Sequence, residues 1–315
     1  MTIAFTFPGQ GSQKVGMGQE LANQFDIARQ TFEEVNDALG INLSNLMFNG
    51  PEDELTLTEN AQPALMAVSM AVMRILESEG VNLATDVKYI AGHSLGEYSA
   101  LTAAGVFSLS DTSKLLQIRG RAMQKACPVG QGAMAALIGL DFETATIVAS
   151  EAVGDTNDVC QAANDNANGQ VVISGDKAAV ERALDIAKAK GAKRAIILPV
   201  SAPFHCSLMQ PAADAMQDAL ANVVMNAPSV PLIANVSAAP TSDIEVIRRQ
   251  LVEQVTGTVR WRESVGFMGQ NGIETCVEVG NGKVLTGMVR RIDRNITGMA
   301  CGTADEIAAV VELLK

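Results

Sequence analysis

The stretch that most constrains the fold is VKYIAGHSLGEYSALTAAG, residues 87–105. Its first part reads as a short apolar strand and its last part as a helix. Gly92, Ser94 and Gly96 occupy the turn between them. A strand that passes into a helix through G-x-S-x-G is a nucleophile elbow. The glycines permit a turn tight enough to push one serine hydroxyl outward at the head of the helix. Such a turn needs a strand held in a sheet and a helix packed back on it, so the chain is expected to be α/β.

The flanking segments agree. TIAFTF reads as a strand, and AQPALMAVSMAVMRILESEG as a long apolar helix ending at Gly80. DTSKLLQIRGRAMQKA reads as a helix with Asp111 as its N-cap. After Pro128 the rhythm changes. GAMAALIGL (strand), FETATIVASEAV (helix), DVCQAAND (strand), the turn-rich NDNANG, GQVVISG (strand), DKAAVERALDIAKAKG (helix) and KRAIILPVS (strand) run βαββαβ. That order predicts a small ferredoxin-like unit inserted over 128–199. The larger unit, 1–127 and 200–315, resumes with the helix-like SLMQPAADAMQDALANV, the strand VPLIANV, the helix-like DIEVIRRQLVEQV and the strand TCVEVG.

Composition narrows the function classes. The chain has 315 residues and 48% hydrophobic residues, ample for a packed core, but only 4% aromatics, so Ala, Val, Leu, Ile and Met must fill it. A net charge of −12 argues against general nucleic-acid binding. No apolar run is long enough for a membrane span, and the N-terminus shows no signal-peptide pattern. The five cysteines are scattered without a C-x-x-C pair. That suits a reduced cytoplasmic protein and predicts no metal site.

A serine nucleophile needs a base. Of two histidines, His93 adjoins Ser94 around a sharp turn, where neighbouring side chains point apart. His205, in the loop VSAPFHCSLM between a strand and a helix, is the candidate base; Cys206 adjoins it and is disfavoured as a partner by the same geometry. The N-terminal PGQGSQKVGMG sits where a phosphate loop would, but Lys14 stands at the third glycine of a dinucleotide fingerprint. Met17 and Gly18 replace the lysine and hydroxyl of a P-loop. Its bare N–H groups suit an oxyanion instead: Leu95, after the nucleophile, gives one donor, and the loop gives the second from Gln10. Arg119 and Arg121 share an apolar helix and point to different faces. One of them can face the core, where it needs an anion.

PGQGSQ, QPAL, GHSLGEYSAL, RGRAM, GQVVISG, PFHC and EVGNGKVLTG, in that order over essentially the whole chain, resemble the malonyl-CoA:acyl-carrier-protein transacylase family of bacterial fatty-acid synthesis. The resemblance implies an α/β-hydrolase-like large subdomain with a ferredoxin-like insertion. It implies transfer of malonyl from malonyl-CoA to the phosphopantetheine thiol of acyl carrier protein through a malonyl-serine, with no cofactor. It makes Ser94 the nucleophile, His205 its base and acid, and Gln10 and Leu95 the oxyanion hole. Arg119 becomes the ligand of the malonyl carboxylate, and Gln254 the residue whose main-chain carbonyl orients the histidine. Gln62, Asn164 and Asn166 are similar to polar pocket residues, and Phe204 to the position that favours malonyl units. The pattern departs at Thr258, where a proline before Val259 is expected. A serine thioesterase or other hydrolase is the alternative on the same scaffold; a cation in the acyl pocket speaks against it. The carrier protein is acidic, so docking calls for a local basic patch, for which Lys193, Arg194, Arg290 and Arg291 are the candidates. A monomer is expected.

Overall fold

The computed structural model describes residues 1–128 and 130–315. Two sheets organise them. Strands β1 (Ile3–Phe7), β2 (Tyr89–Gly92), β7 (Leu232–Ile233), β8 (Pro240–Thr241), β9 (Thr275–Val279) and β10 (Thr297–Cys301) form the first, in the order β10-β9-β1-β2-β7-β8. Every pair is parallel except β7 with β8. Strands β3 (Gly132–Ile138), β4 (Cys160–Ala167), β5 (Gln170–Asp176) and β6 (Arg194–Ile197) form the second, antiparallel throughout, in the order β4-β5-β3-β6. With helices Phe142–Val153 and Lys177–Ala189 between its strands, this is the ferredoxin-like arrangement. It has its own apolar core, built around Leu137, Val148, Ile173 and Val180.

β1 and β2 are buried because helices cover both faces, as a parallel sheet requires. Helix Thr58–Ser78 is apolar nearly all round, and it is buried accordingly. It packs against helix Leu109–Ala126 at Gly120. A Cβ there would lie 2.5 Å from the Glu59 Cα, so glycine sets how closely the two helices approach.

Several elements depart from the sequence pattern. Asp111 is not the N-cap of its helix. The cap is Ser108, whose hydroxyl accepts from the Asp111 N–H at 3.0 Å, which places Asp111 in the first turn. VPLIANV forms only the two-residue β7, and KRAIILPVS pairs only over Arg194–Ile197. β4 runs on to Ala167, so Asn166, read in a turn, lies within the strand with Asn164. Register shifts between Ala162 and Asn164 and between Asp165 and Ala167 break the alternation. Asn164, Asp165 and Asn166 are therefore all buried.

The bulged strand is also where the two units join. Asp165 N–H donates to Val259 O, and Val259 N–H to Ala163 O, each at 2.9 Å. Arg262 Nε and Nη2 grip the Asp165 carboxylate at 2.9 Å. Thr258, at the position where proline was expected, uses its hydroxyl to bond Ala162 O at 2.7 Å.

Candidate active site

The elbow forms because three backbones crowd together. A Cβ on Gly92 would lie 1.9 Å from Gly96 O, and one on Gly96 would lie 2.2 Å from Phe7 O. No side chain fits either position. Ser94 between them takes a left-handed φ of 53°. His205 does the same at 58°, and Ala238 is the third non-glycine residue of this kind among those described. Such backbone is costly for an L residue and persists only where the surroundings hold it. Asn235 supplies the hold at Ser94: its Oδ1 accepts from Ser94 N–H at 2.8 Å, and its Nδ2 donates to Gly92 O at 2.7 Å.

Ser94 Oγ lies 2.8 Å from His205 Nε2, and His205 Nδ1 lies 2.8 Å from Gln254 O. A carbonyl can only accept, so Nδ1 carries the ring proton and Nε2 offers its lone pair to the serine. Burial, and then the positive charge of Arg119, push the His205 pKa down to about 3. The imidazole is therefore neutral and ready to take a proton. His93 turns away, with Nε2 2.8 Å from Asn166 Oδ1 and its ring against Trp261. Cys206 is buried, donates to Pro203 O, and has its thiol pKa pushed up to about 11, chiefly by burial.

Of the two arginines, Arg121 faces outward to Glu59 at 2.7 Å. Arg119 is 2% exposed. Its partners are all neutral: Gln62 Oε1 at 2.7 Å, Gln254 Oε1 at 2.9 Å and Ser94 Oγ at 3.1 Å. Its Nε has no partner, and its charge meets no carboxylate at ion-pair distance among the described residues. A buried guanidinium left this way is a receptor for an anion.

The site opens on a cavity of about 990 Å³ between the two sheets. Gln10, Leu95, Gln62, Asn164, Asn166 and Phe204 all line it. The Gln10 and Leu95 N–H groups donate to no other protein group among the described residues. Gln10 is tied back through its side chain, which accepts from Thr58 Oγ1 at 3.0 Å. Of the basic residues, Lys193 and Arg194 are exposed at the start of β6, whose continuation, Leu198–Val200, forms one lip of the cavity. Arg290 and Arg291 are exposed in the last turn of helix Val284–Ile292, whose first turn lines the cavity; Arg291 is bonded to Gln170 Oε1 at 3.1 Å.

Sequence reasoning missed three contributors. Asn235 is a lone polar residue at the carboxyl end of an apolar strand. Glu97 is the one charged residue in LGEYSALTAAG. Both signals were present in the sequence. The Gln254 side chain was also missed: its Nε2 donates to Ser94 O at 2.9 Å and to Glu97 Oε2 at 2.5 Å. Nothing local in LVEQV points to that contact.

Comparison with known proteins identifies the family and the fold. The acyl transferase domain family matches residues 4–306. The chain is 46% identical over 311 residues to the malonyl CoA-acyl carrier protein transacylase of Escherichia coli strain K12, covering 99% of each. Among solved structures it resembles an acyl-carrier-protein S-malonyltransferase from Bartonella henselae, with TM-score 0.97 and 58% identity over 100% of this chain and 99% of that one. A malonyl-transacylase in complex with its type II PKS acyl-carrier protein superposes with TM-score 0.96 at 42% identity, covering 99% and 100% of the two chains.

Proposed function

We propose that this chain, which belongs to the acyl transferase domain family and within it to the malonyl CoA-acyl carrier protein transacylases, moves a malonyl group from malonyl-CoA to the phosphopantetheine thiol of an acyl carrier protein, supplying fatty-acid chain elongation. The observation that carries the acyl specificity is Arg119, a buried cation with an unpartnered Nε, hydrogen-bonded to the same hydroxyl that His205 contacts.

On this reading Ser94 Oγ attacks the thioester carbonyl while its proton passes to His205 Nε2. The carbonyl oxygen takes up negative charge and meets the N–H groups of Gln10 and Leu95. Collapse breaks the C–S bond. The CoA sulfur leaves with the proton from His205, and malonyl remains on Ser94 as an ester. The carrier's thiol then gives its proton to His205 and attacks the ester carbonyl. The serine oxygen leaves and recovers the proton. Through both halves the Gln254 carbonyl holds the imidazole in one tautomer, and Arg119 holds the free carboxylate.

Gln62, Asn164 and Asn166 complete the polar wall around the acyl chain, and Phe204 limits its α-substituent. The chemistry draws every group from the chain and needs no bound cofactor. Lys193 and Arg194, at the start of the strand whose continuation reaches the cavity, and Arg290 and Arg291, on the helix whose first turn lines it, receive the acidic carrier. We take the enzyme to act as a cytoplasmic monomer. A hydrolase of neutral esters on the same scaffold would have no use for Arg119. The test is incubation with labelled malonyl-CoA, with and without carrier protein, following label on the enzyme, the carrier and free malonate. Malonyl-enzyme that discharges to carrier supports the assignment. Discharge to water at the same rate with or without carrier would make it a hydrolase.

A further inference from the structure

Beneath the site lies a carboxyl group that the proposed chemistry does not use. Glu97 is three residues beyond Ser94, on the first turn of helix Gly96–Ala103. It is 1% exposed. Its Oε2 accepts from Gln254 Nε2 at 2.5 Å and from the Asn235 N–H at 3.4 Å. Both donors are neutral amides, and Glu97 has no ion-pair partner among the described residues. The charged and titratable groups around it are Arg119, from helix Leu109–Ala126, and Tyr98, its own neighbour. Arg119 is directed elsewhere, at Gln62, Gln254 and Ser94.

The Gln254 carboxamide has two N–H groups and one carbonyl oxygen. The N–H groups point to Glu97 and Ser94 O, with Asn235 Oδ1 a longer third acceptor at 3.3 Å, which leaves Oε1 facing Arg119 Nη2. A flipped amide would set a donor against the guanidinium and an oxygen against Ser94 O. The same residue's backbone carbonyl holds His205. One side chain therefore connects Glu97 to the cation and its backbone connects to the base.

We propose that Glu97 is a positioning residue: as an uncharged acid, its carboxyl fixes the Gln254 carboxamide in the orientation that aligns Arg119, and it leaves the guanidinium's charge free for the substrate carboxylate. This rests on the acyl-transfer reading above. An ionised carboxylate at that depth without a cation in contact would be costly. It would also act as a standing counter-ion to Arg119 and compete with malonyl. Burial works in the direction the proposal needs, pushing the Glu97 pKa up to about 8.

The experiment compares wild type, Glu97→Gln and Glu97→Ala for acylation by malonyl-CoA and acetyl-CoA between about pH 6 and 9.5, with thermal melting of each. Wild-type malonylation, measured first, separates failure of the acyl-transfer reading from failure of this inference. Glu97→Gln should keep the malonyl-over-acetyl preference within about threefold of wild type, because it restores a neutral acceptor. Glu97→Ala should reduce that preference about tenfold, through KM for malonyl-CoA more than through kcat. In wild type, KM for malonyl-CoA should rise as pH passes about 8, where Glu97 ionises; in Glu97→Gln that alkaline rise should be absent. If Glu97→Ala does not fold, the Glu97→Gln profile alone decides. A Glu97→Gln enzyme that loses the preference, or that keeps the alkaline rise unchanged, would overturn the proposal. So would a folded Glu97→Ala enzyme with the preference intact.

Discussion

The two walls of the cleft are built by different rules. On the parallel-sheet side, Ser94, Asn235, Gln254, Arg119 and His205 are held by one another, and two of them have left-handed backbone. On the antiparallel side, the wall is mostly apolar (Met134, Val172, Leu198 and Val200), with the amides of Asn164 and Asn166 set among them. Behind that wall β6 is an edge strand that exposes Arg194, Ile196 and Ile197, with Lys193 exposed just before it. The difference teaches where precision is needed. On the proposed mechanism charge develops and protons move on the first wall, so its groups must be in place before substrate arrives. The second wall shapes and receives, and few hydrogen bonds suffice for that.

The comparison breaks most visibly at Ser94. Ser94→Ala should lower malonyl transfer by at least ~10⁴-fold and abolish labelling of the enzyme by malonyl-CoA. Persistent labelling, with cysteine adducts ruled out by mass spectrometry, would remove the nucleophile from this wall. Arg119→Ala should come next. Losing the charge-assisted contact should cost about 2–5 kcal/mol in kcat/KM for malonyl-CoA, and far less for acetyl-CoA. Equal losses for both substrates would make Arg119 a structural residue.

On the joint between the walls the expected effect is on stability. Asp165 is buried and doubly bonded by Arg262. Asp165→Ala should cost about 1–3 kcal/mol of unfolding free energy, read by denaturant titration, and should increase amide exchange in β4 while Ser94 acylation changes little. Unchanged protection of β4 would show that the Val259 backbone pairing alone holds the joint. Smaller again is the effect at the proposed docking residues. Lys193→Glu, Arg194→Glu or Arg290→Glu should slow transfer to carrier protein about two- to tenfold at low salt. Malonylation of Ser94 should remain near the parent rate, and the salt dependence of the second half-reaction should weaken. Parent rates of transfer would move the docking face elsewhere.

The smallest expected change is in the pH profile. An unperturbed histidine base, with a pKa near ~6.5, would lose about 30-fold in rate by about pH 5. His205 sits lower, at about 3, so it stays neutral over that interval and the acylation rate should fall by less than about twofold. The sign for stability is opposite in consequence. The unfolded chain takes up a proton near ~6.5 that the folded chain refuses, so this group lowers stability as pH falls from there towards about 3. Arg119 contributes to the depression, so Arg119→Ala should move the acid limb upward. A limb near 6.5 in the parent enzyme would mean that the site is wetter than its geometry indicates.

By itself the sequence determined the parts whose signals are local. A turn that needs Gly92 and Gly96, the order of strand-like and helix-like runs after Pro128, and an arginine within an apolar helix are each read from short stretches of chain, and a count of only two histidines leaves one free to serve Ser94. The tertiary structure alone decided how distant parts meet. Gln254 reaches Ser94 across 160 positions of chain, and Asn235 reaches it across 141. Neither contact has a periodicity or spacing to betray it. Bulges in β4, not turn residues, bury Asn164 and Asn166 side by side with Asp165. The neutrality of His205 and of Glu97 is likewise a property of the assembled site. A side chain's charge at a given pH depends on how much water surrounds it and which charges face it, and both are set only when the elements pack.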